Sequence, residues 1–162
     1  MIWLVMGVTG CGKTTLGKAL AEKLKIPFYD ADDFHPPNNR AKLLRDDPLT
    51  DVDRWPWLEA LADRMHAWER AGGAVLACSA LKESYRRVLA TSGATIRVIL
   101  LEISAEEAET RLRHRQHDLV GKFHKILAGQ FRDLEKPKNA VVVDAKLPNR
   151  DQIEVILAPK NG

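Results

Sequence analysis

The chain has 162 residues, of which 45% are hydrophobic and 29% are charged, a composition typical of one soluble globular domain. Its formal net charge of +3 is too small to indicate a nucleic-acid partner, and no apolar run is long enough to cross a membrane. The two cysteines, Cys11 and Cys78, lie in unrelated contexts without metal-ligand spacing. We therefore expect one domain, residues 1–162, in the reducing cytoplasm, with neither nucleic acid nor membrane as a partner.

The first element in chain order is a phosphate-binding loop. Residues 7–14 match the pattern G-x-x-x-x-G-K-[ST] at every position, between an apolar run at 2–6 and a helical pattern at 15–24. Its glycines let successive N–H groups face the phosphates of ATP, and the helix adds its positive N-terminal end. A glycine-rich turn that merely connects strand and helix is the alternative.

Each position of this loop has a predicted role. Lys13 should reach the β- and γ-phosphates, Thr14 should give its hydroxyl to Mg²⁺, and Thr15 should cap the helix or contact the α-phosphate. Cys11 is interpreted as a small filler and not as a nucleophile. The predicted nucleotide-binding residues of the loop are Gly7, Gly10, Cys11, Gly12, Lys13, Thr14 and Thr15.

Strands and helices alternate through the rest of the chain. Short apolar runs at 27–29, 74–78, 96–101 and 140–143 predict four more strands, and amphipathic stretches predict helices near 55–71, 81–91, 105–117, 123–134 and 150–158. The stretch at 36–39 is typical of a loop or a helix start. This alternation predicts an α/β fold with a five-stranded parallel sheet flanked by helices, in which ligands bind at the carboxyl ends of the strands.

Two carboxylates, Asp30 and Asp32, follow the second predicted strand. Paired carboxylates suit phosphoryl transfer, because one can hold Mg²⁺ while the other accepts a hydrogen bond from the attacking hydroxyl. We assign Asp30 to the metal and Asp32 to the hydroxyl. The alternative is that these acidic residues cap the following helix.

Arg54 lies in a segment of acidic residues and tryptophans. Its guanidinium could bind a substrate carboxylate in a bidentate manner. Equally, Arg54 could pair with Asp51 or Asp53, with Trp55 and Trp57 anchoring a helix that Pro56 begins; the pattern leaves the two open.

Basic residues then cluster between 111 and 125. A mobile lid at about 111–130 would bring arginines to the transferring phosphoryl group, and we predict this role for Arg115 and a nucleotide contact for Arg111. The competing interpretation is a solvated helix face, balanced by Glu106, Glu107 and Glu109.

Taken together, the chain resembles the gluconokinases of the small P-loop carbohydrate kinase type, relatives of shikimate and nucleoside monophosphate kinases. The resemblance covers nearly the whole sequence. It rests on the P-loop, on Asp30, Asp32, His35, Pro36, Asn39 and Lys42, on the segment from Pro48 to Leu58, on Cys78 to Lys82 with Tyr85 and Arg86, and on Gln130, Phe131, Leu134, Glu135 and Pro137.

The resemblance implies ATP-dependent phosphorylation of D-gluconate at its 6-hydroxyl, on a nucleoside monophosphate kinase fold with a lid. It further implies that Asp32 orients the hydroxyl, that Arg54 engages the sugar acid, and that a homodimer is possible. The substrate side that it implies comprises Asp32, His35, Lys42, Arg54, Ser79, Lys82 and Arg86. Alternatives are a kinase for another small hydroxy acid or a nucleoside monophosphate, and a non-catalytic ATP-binding module.

Overall fold

The computed structural model describes the backbone of residues 1–115 and 120–160 and, within these ranges, the side chains of all residues except 115 and 120–123. A single turn of 3-10 helix, Ala31–Phe34, follows the second strand. The remaining elements are β1 (Ile2–Met6), α1 (Lys13–Leu24), β2 (Phe28–Asp30), α2 (Pro37–Leu44), α3 (Asp51–Arg70), β3 (Ala74–Ala77), α4 (Glu83–Ala90), β4 (Ile96–Glu102), α5 (Ala105–Arg115), α6 (Val120–Asp133), β5 (Val141–Asp144) and α7 (Asn149–Leu157).

The five strands form one parallel sheet in the order β2-β3-β1-β4-β5. This confirms the predicted five-stranded parallel α/β fold. The chain leaves β1 toward one side of the sheet for β2 and β3 and returns to the other side for β4 and β5. The order of the strands therefore reverses at β1, and the crevice beyond its carboxyl end is where such sheets bind ligands.

The sheet is covered on both faces by apolar side chains. Leu4 and Met6 of β1 pack with Leu58 and Leu61 of α3 on one face, and Val5 packs with α1, α5 and α7 on the other. A strand that is apolar on both faces must be central, which explains the continuous apolar run at 2–6. Of the described helices, none is long and apolar enough to span a bilayer.

Helix α3 begins at Asp51, so the start of the helix predicted near 55–71 was wrong by four residues. The reason is a capping box, in which the Thr50 hydroxyl accepts from the Asp53 N–H (3.2 Å) and the Asp53 carboxylate accepts from the Thr50 N–H (2.9 Å). Pro56 lies inside the helix, where it lacks the N–H that would bond to Val52. Val52 is 74% exposed, so water can satisfy its carbonyl.

The turn between α3 and β3 contains two glycines that differ in their surroundings. Both have positive φ, 119° at Gly72 and 101° at Gly73. A Cβ at Gly73 would lie 2.6 Å from the Met1 carbonyl oxygen, whereas a Cβ at Gly72 would meet nothing within 4 Å. Gly73 therefore allows β3 to pair closely with the start of β1.

We predict that Gly73→Ala lowers the free energy of unfolding more than Gly72→Ala, as measured by urea denaturation. Backbone strain costs each variant about 1 to 3 kcal/mol. The clash with a main-chain oxygen should cost Gly73→Ala roughly 1 to 3 kcal/mol more. Equal losses for the two variants would contradict the close approach.

Candidate active site

The phosphate-binding loop joins β1 to α1. Gly12 occupies the N-cap position of α1 in a left-handed conformation (φ 99°), and no side chain caps the helix there. The first N–H groups of α1 are therefore available to an anion. The Lys13 ammonium donates to the carbonyl oxygens of Gly7 (2.9 Å) and Val8 (3.0 Å), so its charge is held within the loop.

Gly7 and Cys11 determine how closely the phosphate loop packs against β4. A Cβ at Gly7 would lie 2.8 Å from the Cys11 sulfur and 2.9 Å from the Leu101 carbonyl oxygen. Cys11 is 1% exposed, and burial raises the pKa of its thiol. A buried, protonated thiol agrees with a filler role and not with a nucleophile.

A cavity of about 470 Å³ opens beyond the carboxyl ends of the strands. Predicted nucleotide and substrate residues meet in it, although they are scattered from residue 10 to residue 79 in the sequence. The residues with polar or charged groups that line it are Thr9, Lys13, Thr14, Thr15, Asp30, Asp32, His35, Arg54, Trp57, Ser79, Tyr85, Gln130 and Asp133.

Asp30 and Asp32 both face this cavity. One oxygen of Asp30 accepts from the Asp32 N–H at 3.0 Å, so Asp30 caps the 3-10 turn as well as lining the site. The pKa of Asp32 is raised, first because protein displaces solvent around it and next because Asp30 is nearby. Its side chain is nevertheless 84% exposed, so a bound substrate would increase this desolvation.

His35 is held in one orientation and one tautomer. The Asn39 amide donates to Nδ1 at 3.3 Å, so in the neutral ring Nε2 carries the hydrogen, and Nε2 lies 3.9 Å from the Asp32 carboxylate. The ring stacks on Trp57 at 4.2 Å between centroids, and the Trp57 indole N–H donates to the Ala31 carbonyl at 2.8 Å. The structure thus brings His35 beside Asp32 through contacts with two different helices.

A second polar cluster lies at the start of α3. The Asp51 carboxylate accepts from the Tyr85 hydroxyl and from Lys82 (3.3 Å), and Arg54 lies 3.6 Å from it. The hydrogen bond from Tyr85, and after it that from Lys82, lowers the pKa of Asp51. Arg54 also donates to the Leu49 carbonyl at 2.8 Å, and its guanidinium lies 5.5 Å from the Tyr85 ring centroid.

This cluster combines the two interpretations of Arg54. Arg54 pairs with Asp51, as the structural alternative predicted, and it also lines the cavity, as the substrate-binding interpretation requires. Ser79 lines the cavity too, whereas Lys82, whose ammonium lies 5.5 Å from the Tyr85 ring centroid, is outside the lining.

Arg86 and Lys42 were predicted on the substrate side, and the structure does not bring either into the cavity. Arg86 is 8% exposed and donates to the carbonyls of Ala80 (2.7 Å), Leu81 (3.0 Å) and Glu135 (2.7 Å). Since Ala80 has a φ of 44°, rare for a residue with a side chain, Arg86 supports a strained turn that itself lines the site.

Lys42 has a structural partner as well. Its ammonium donates to the Asp53 carboxylate at 2.7 Å, and this bond is the first cause that lowers the pKa of Asp53 to about 2. The pair fastens α2 to the first turn of α3.

Arg111 contacts the nucleotide loop from α5. Its guanidinium donates to the carbonyls of Cys11 (3.3 Å) and Ala145 (2.7 Å), which joins the phosphate loop to the segment after β5. The side chain of Arg115 and the predicted lid residues 116–119 lie outside the described residues.

Five cavity residues with polar or charged groups were not predicted as site residues: Thr9, Trp57, Tyr85, Gln130 and Asp133. Sequence signals existed for the first four, because Thr9 lies within the phosphate-loop pattern and Trp57, Tyr85 and Gln130 belong to the blocks that carry the family resemblance. For Asp133 the only available signal was its position one helical turn after Gln130.

Comparisons with known proteins agree with this geometry. A family model described as shikimate kinase matches residues 9–125. The chain is 41% identical over 135 residues to the gluconokinase of Gluconobacter oxydans (strain 621H), covering 83% of this chain and 75% of that protein. It is 36% identical over 154 residues to the thermoresistant gluconokinase of Escherichia coli (strain K12), covering 91% and 86%.

Among solved structures, a gluconokinase from Sinorhizobium meliloti 1021 superposes with a TM-score of 0.85 at 36% sequence identity. The alignment covers 96% of this chain and 89% of that one. The sequence comparisons and the structural comparison therefore point to the same family of enzymes.

We predict that His35 makes stability depend on acid pH. Burial, followed by repulsion from Arg40 and Arg54, lowers its pKa from 6.5 to about 4. Between these values the unfolded chain binds more protons than the folded one, so the contribution is complete above pH 6.5 and is lost as the pH falls toward 4.

The measurement is the difference in unfolding free energy between the wild type and His35→Gln, taken by urea denaturation from neutral pH to about pH 4. This difference should shrink by at most about 3 kcal/mol over that range. A difference that stays constant would show that the imidazole is not buried in its neutral form.

Proposed function

The chain belongs to the gluconokinase family, and on that premise we propose that it transfers the γ-phosphoryl group of ATP to the 6-hydroxyl of D-gluconate. The observation that carries the proposal is a single cavity lined by the phosphate-binding loop, Asp32 and Arg54. We propose that the loop and Asp32 form one end, which fits a triphosphate and an attacking alcohol, and that Arg54 forms the other, which fits a carboxylate.

The phosphate end supports transfer by position and charge. The free N–H groups of α1 hold the triphosphate of ATP, and the Lys13 ammonium turns from the carbonyls of Gly7 and Val8 to the β- and γ-phosphates. The 6-oxygen forms a bond to the γ-phosphorus, the bond from that phosphorus to the bridging oxygen breaks, and ADP leaves. Asp32 accepts the hydroxyl proton, which its raised pKa favours.

The same end has the oxygen donors that Mg²⁺ prefers. Thr14 and Asp30 both line the cavity beside Lys13, and one oxygen of Asp30 is not engaged by the Asp32 N–H. We propose that these two residues hold the ion, which supplies charge neutralisation for the β- and γ-phosphates when it is bound.

The opposite end accounts for a sugar acid. A guanidinium pairs with a carboxylate through two parallel hydrogen bonds, and the contacts of Arg54 with Leu49 and Tyr85 fix its plane. Asp51 pairs with both Arg54 and Lys82, so a second cation, outside the cavity lining, lies near Arg54.

Several finer predictions remain proposals. They are the catalytic role of Arg115, the nucleotide contact of Arg111, a homodimer, a cytoplasmic location, and a single domain over residues 1–162 with a lid at about 111–130. Among the described residues, the contact of Arg111 with Cys11 in the phosphate loop supports its part in nucleotide binding.

We predict that Asp32→Asn lowers kcat by about 10²- to 10⁴-fold, the usual contribution of a positioned acid or base. KM for ATP should change little, because Asp32 is not part of the phosphate loop. The assay couples ADP release to gluconate, with mass spectrometry of the phosphorylated product. Asp33→Asn is the matched control, since Asp33 does not line the cavity.

If ADP release by the wild type does not increase when gluconate is added, the substrate assignment is wrong. Near-normal turnover by Asp32→Asn would remove Asp32 from the mechanism while leaving the substrate assignment intact.

We predict that Arg54→Gln raises KM for gluconate by roughly 10- to 100-fold, as expected for the loss of a charge-assisted hydrogen bond. KM for ATP should stay near that of the wild type. Sorbitol, the neutral polyol of the same chain length, is the control substrate, and the preference for gluconate over it should fall. An unchanged preference would assign Arg54 to structure alone.

A further inference from the structure

The last two turns of α6 contribute two polar side chains to the cavity, Gln130 and Asp133. They lie three residues apart, so they occupy the same face of the helix, one turn from each other. Neither the binding of the phosphates nor the binding of the substrate carboxylate explains why these two side chains line the cavity.

The orientation of the Gln130 amide is fixed by the phosphate loop. Its Oε1 accepts from the Thr9 N–H at 2.6 Å, across 121 residues of sequence. Because an N–H must meet the oxygen of the amide, the Nε2 group is the other branch and remains a donor. No hydrogen bond from Nε2 to another described residue is present, so this donor is available to a ligand in the cavity.

Asp133 supplies the complementary acceptor. It is half-buried and lines the cavity, and within the described part of the chain its carboxylate accepts no hydrogen bond. Two residues after Asp133, the Glu135 N–H donates to the Leu81 carbonyl at 2.8 Å. The end of α6 therefore lies against the residue that precedes Lys82.

The position of Asp133 in the helix argues against a role in stability. It is the last residue of α6, where the helix dipole is negative and a carboxylate is unfavourable. Arg132, beside it, has the charge that a helix end favours. A residue that opposes its own helix and lines a cavity is better explained by a ligand.

These contacts order the cavity along its length. Gln130 joins the phosphate loop at Thr9, and Asp133 follows one turn later, just before Glu135, whose N–H bonds the carbonyl of Leu81 next to Lys82. Lys82 in turn pairs with Asp51 beside Arg54. The face of α6 thus lies between the site of phosphoryl transfer and the site of the carboxylate.

We propose that Gln130 and Asp133 form a donor–acceptor pair that recognises adjacent hydroxyls in the middle of the substrate's polyol chain. Each hydroxyl can both donate and accept, so one accepts from the Gln130 amide while its neighbour donates to the Asp133 carboxylate. The negative charge of Asp133 also disfavours a second acidic group at this point. The inference rests on the proposed function, because it assigns the middle of the same substrate.

The test compares the wild type with Asp133→Asn, Asp133→Ser and Gln130→Ala on D-gluconate and on two analogues. One analogue has the opposite configuration at a middle carbon of the chain, and the other lacks the hydroxyl at that carbon. A site built to hydrogen-bond a hydroxyl rejects an analogue without it, so the wild type should strongly prefer gluconate. The preference, as a ratio of kcat/KM values, should fall about 10-fold or more in each variant.

Asp63→Asn is the matched control, because Asp63 is exposed on α3 away from the cavity and the substitution removes the same charge. It should keep the wild-type preference. KM for ATP should be unchanged in Asp133→Asn and raised in Gln130→Ala, which also loses the bond to Thr9. Thermal unfolding of Asp133→Asn should occur at or above the wild-type temperature, since an unfavourable charge has been removed.

An unchanged preference in both Asp133 variants would overturn the proposal while gluconate phosphorylation itself stands. A loss of preference accompanied by unfolding in both Asp133 variants would also overturn it, because the residue would then be structural. Absence of gluconate phosphorylation by the wild type would instead overturn the proposed function and this inference with it.

Discussion

The site depends on an unsatisfied helix end at the centre of the sheet. Helix α1 begins directly after β1, and its N-cap is Gly12, which has no side chain to bond the first N–H groups. Helix α3, by contrast, is capped by the Thr50 side chain. Leaving α1 uncapped sacrifices local stability and creates a concentrated positive site, which Lys13 completes with an ammonium held by its own loop.

Around this anion site, packing fixes the orientation of side chains that line the cavity. The His35 imidazole is the clearest case, because Asn39 selects its tautomer and Trp57 restricts its plane. The Trp57 indole is itself bound to the Ala31 carbonyl, next to Asp32. The helix start at Asp51 is therefore connected to the carboxylate that faces the substrate, and the capping box at Thr50 contributes indirectly to the geometry of the site.

The sequence predicted well the features that depend on neighbouring residues. The phosphate loop, the five strands and the carboxylates at 30 and 32 are each short patterns whose physical meaning is local. Prediction was poor where a side chain has a distant partner. Arg86 was expected to meet substrate, but it bonds the Glu135 carbonyl 49 residues away and braces the turn at Ala80. Pro56 was expected to begin a helix that a capping box had already begun.

The distribution of charge along the cavity gives the site a direction. In the proposed arrangement Lys13 serves the triphosphate and Arg54 serves the carboxylate, and Asp32 and Asp133 line the same cavity. A ligand that is anionic at both ends and rich in hydroxyls in the middle satisfies every group in this series. A compact anion satisfies only one end, and a neutral polyol leaves Arg54 paired with Asp51 alone. The electrostatic pattern therefore favours an extended pairing of triphosphate, alcohol and carboxylate.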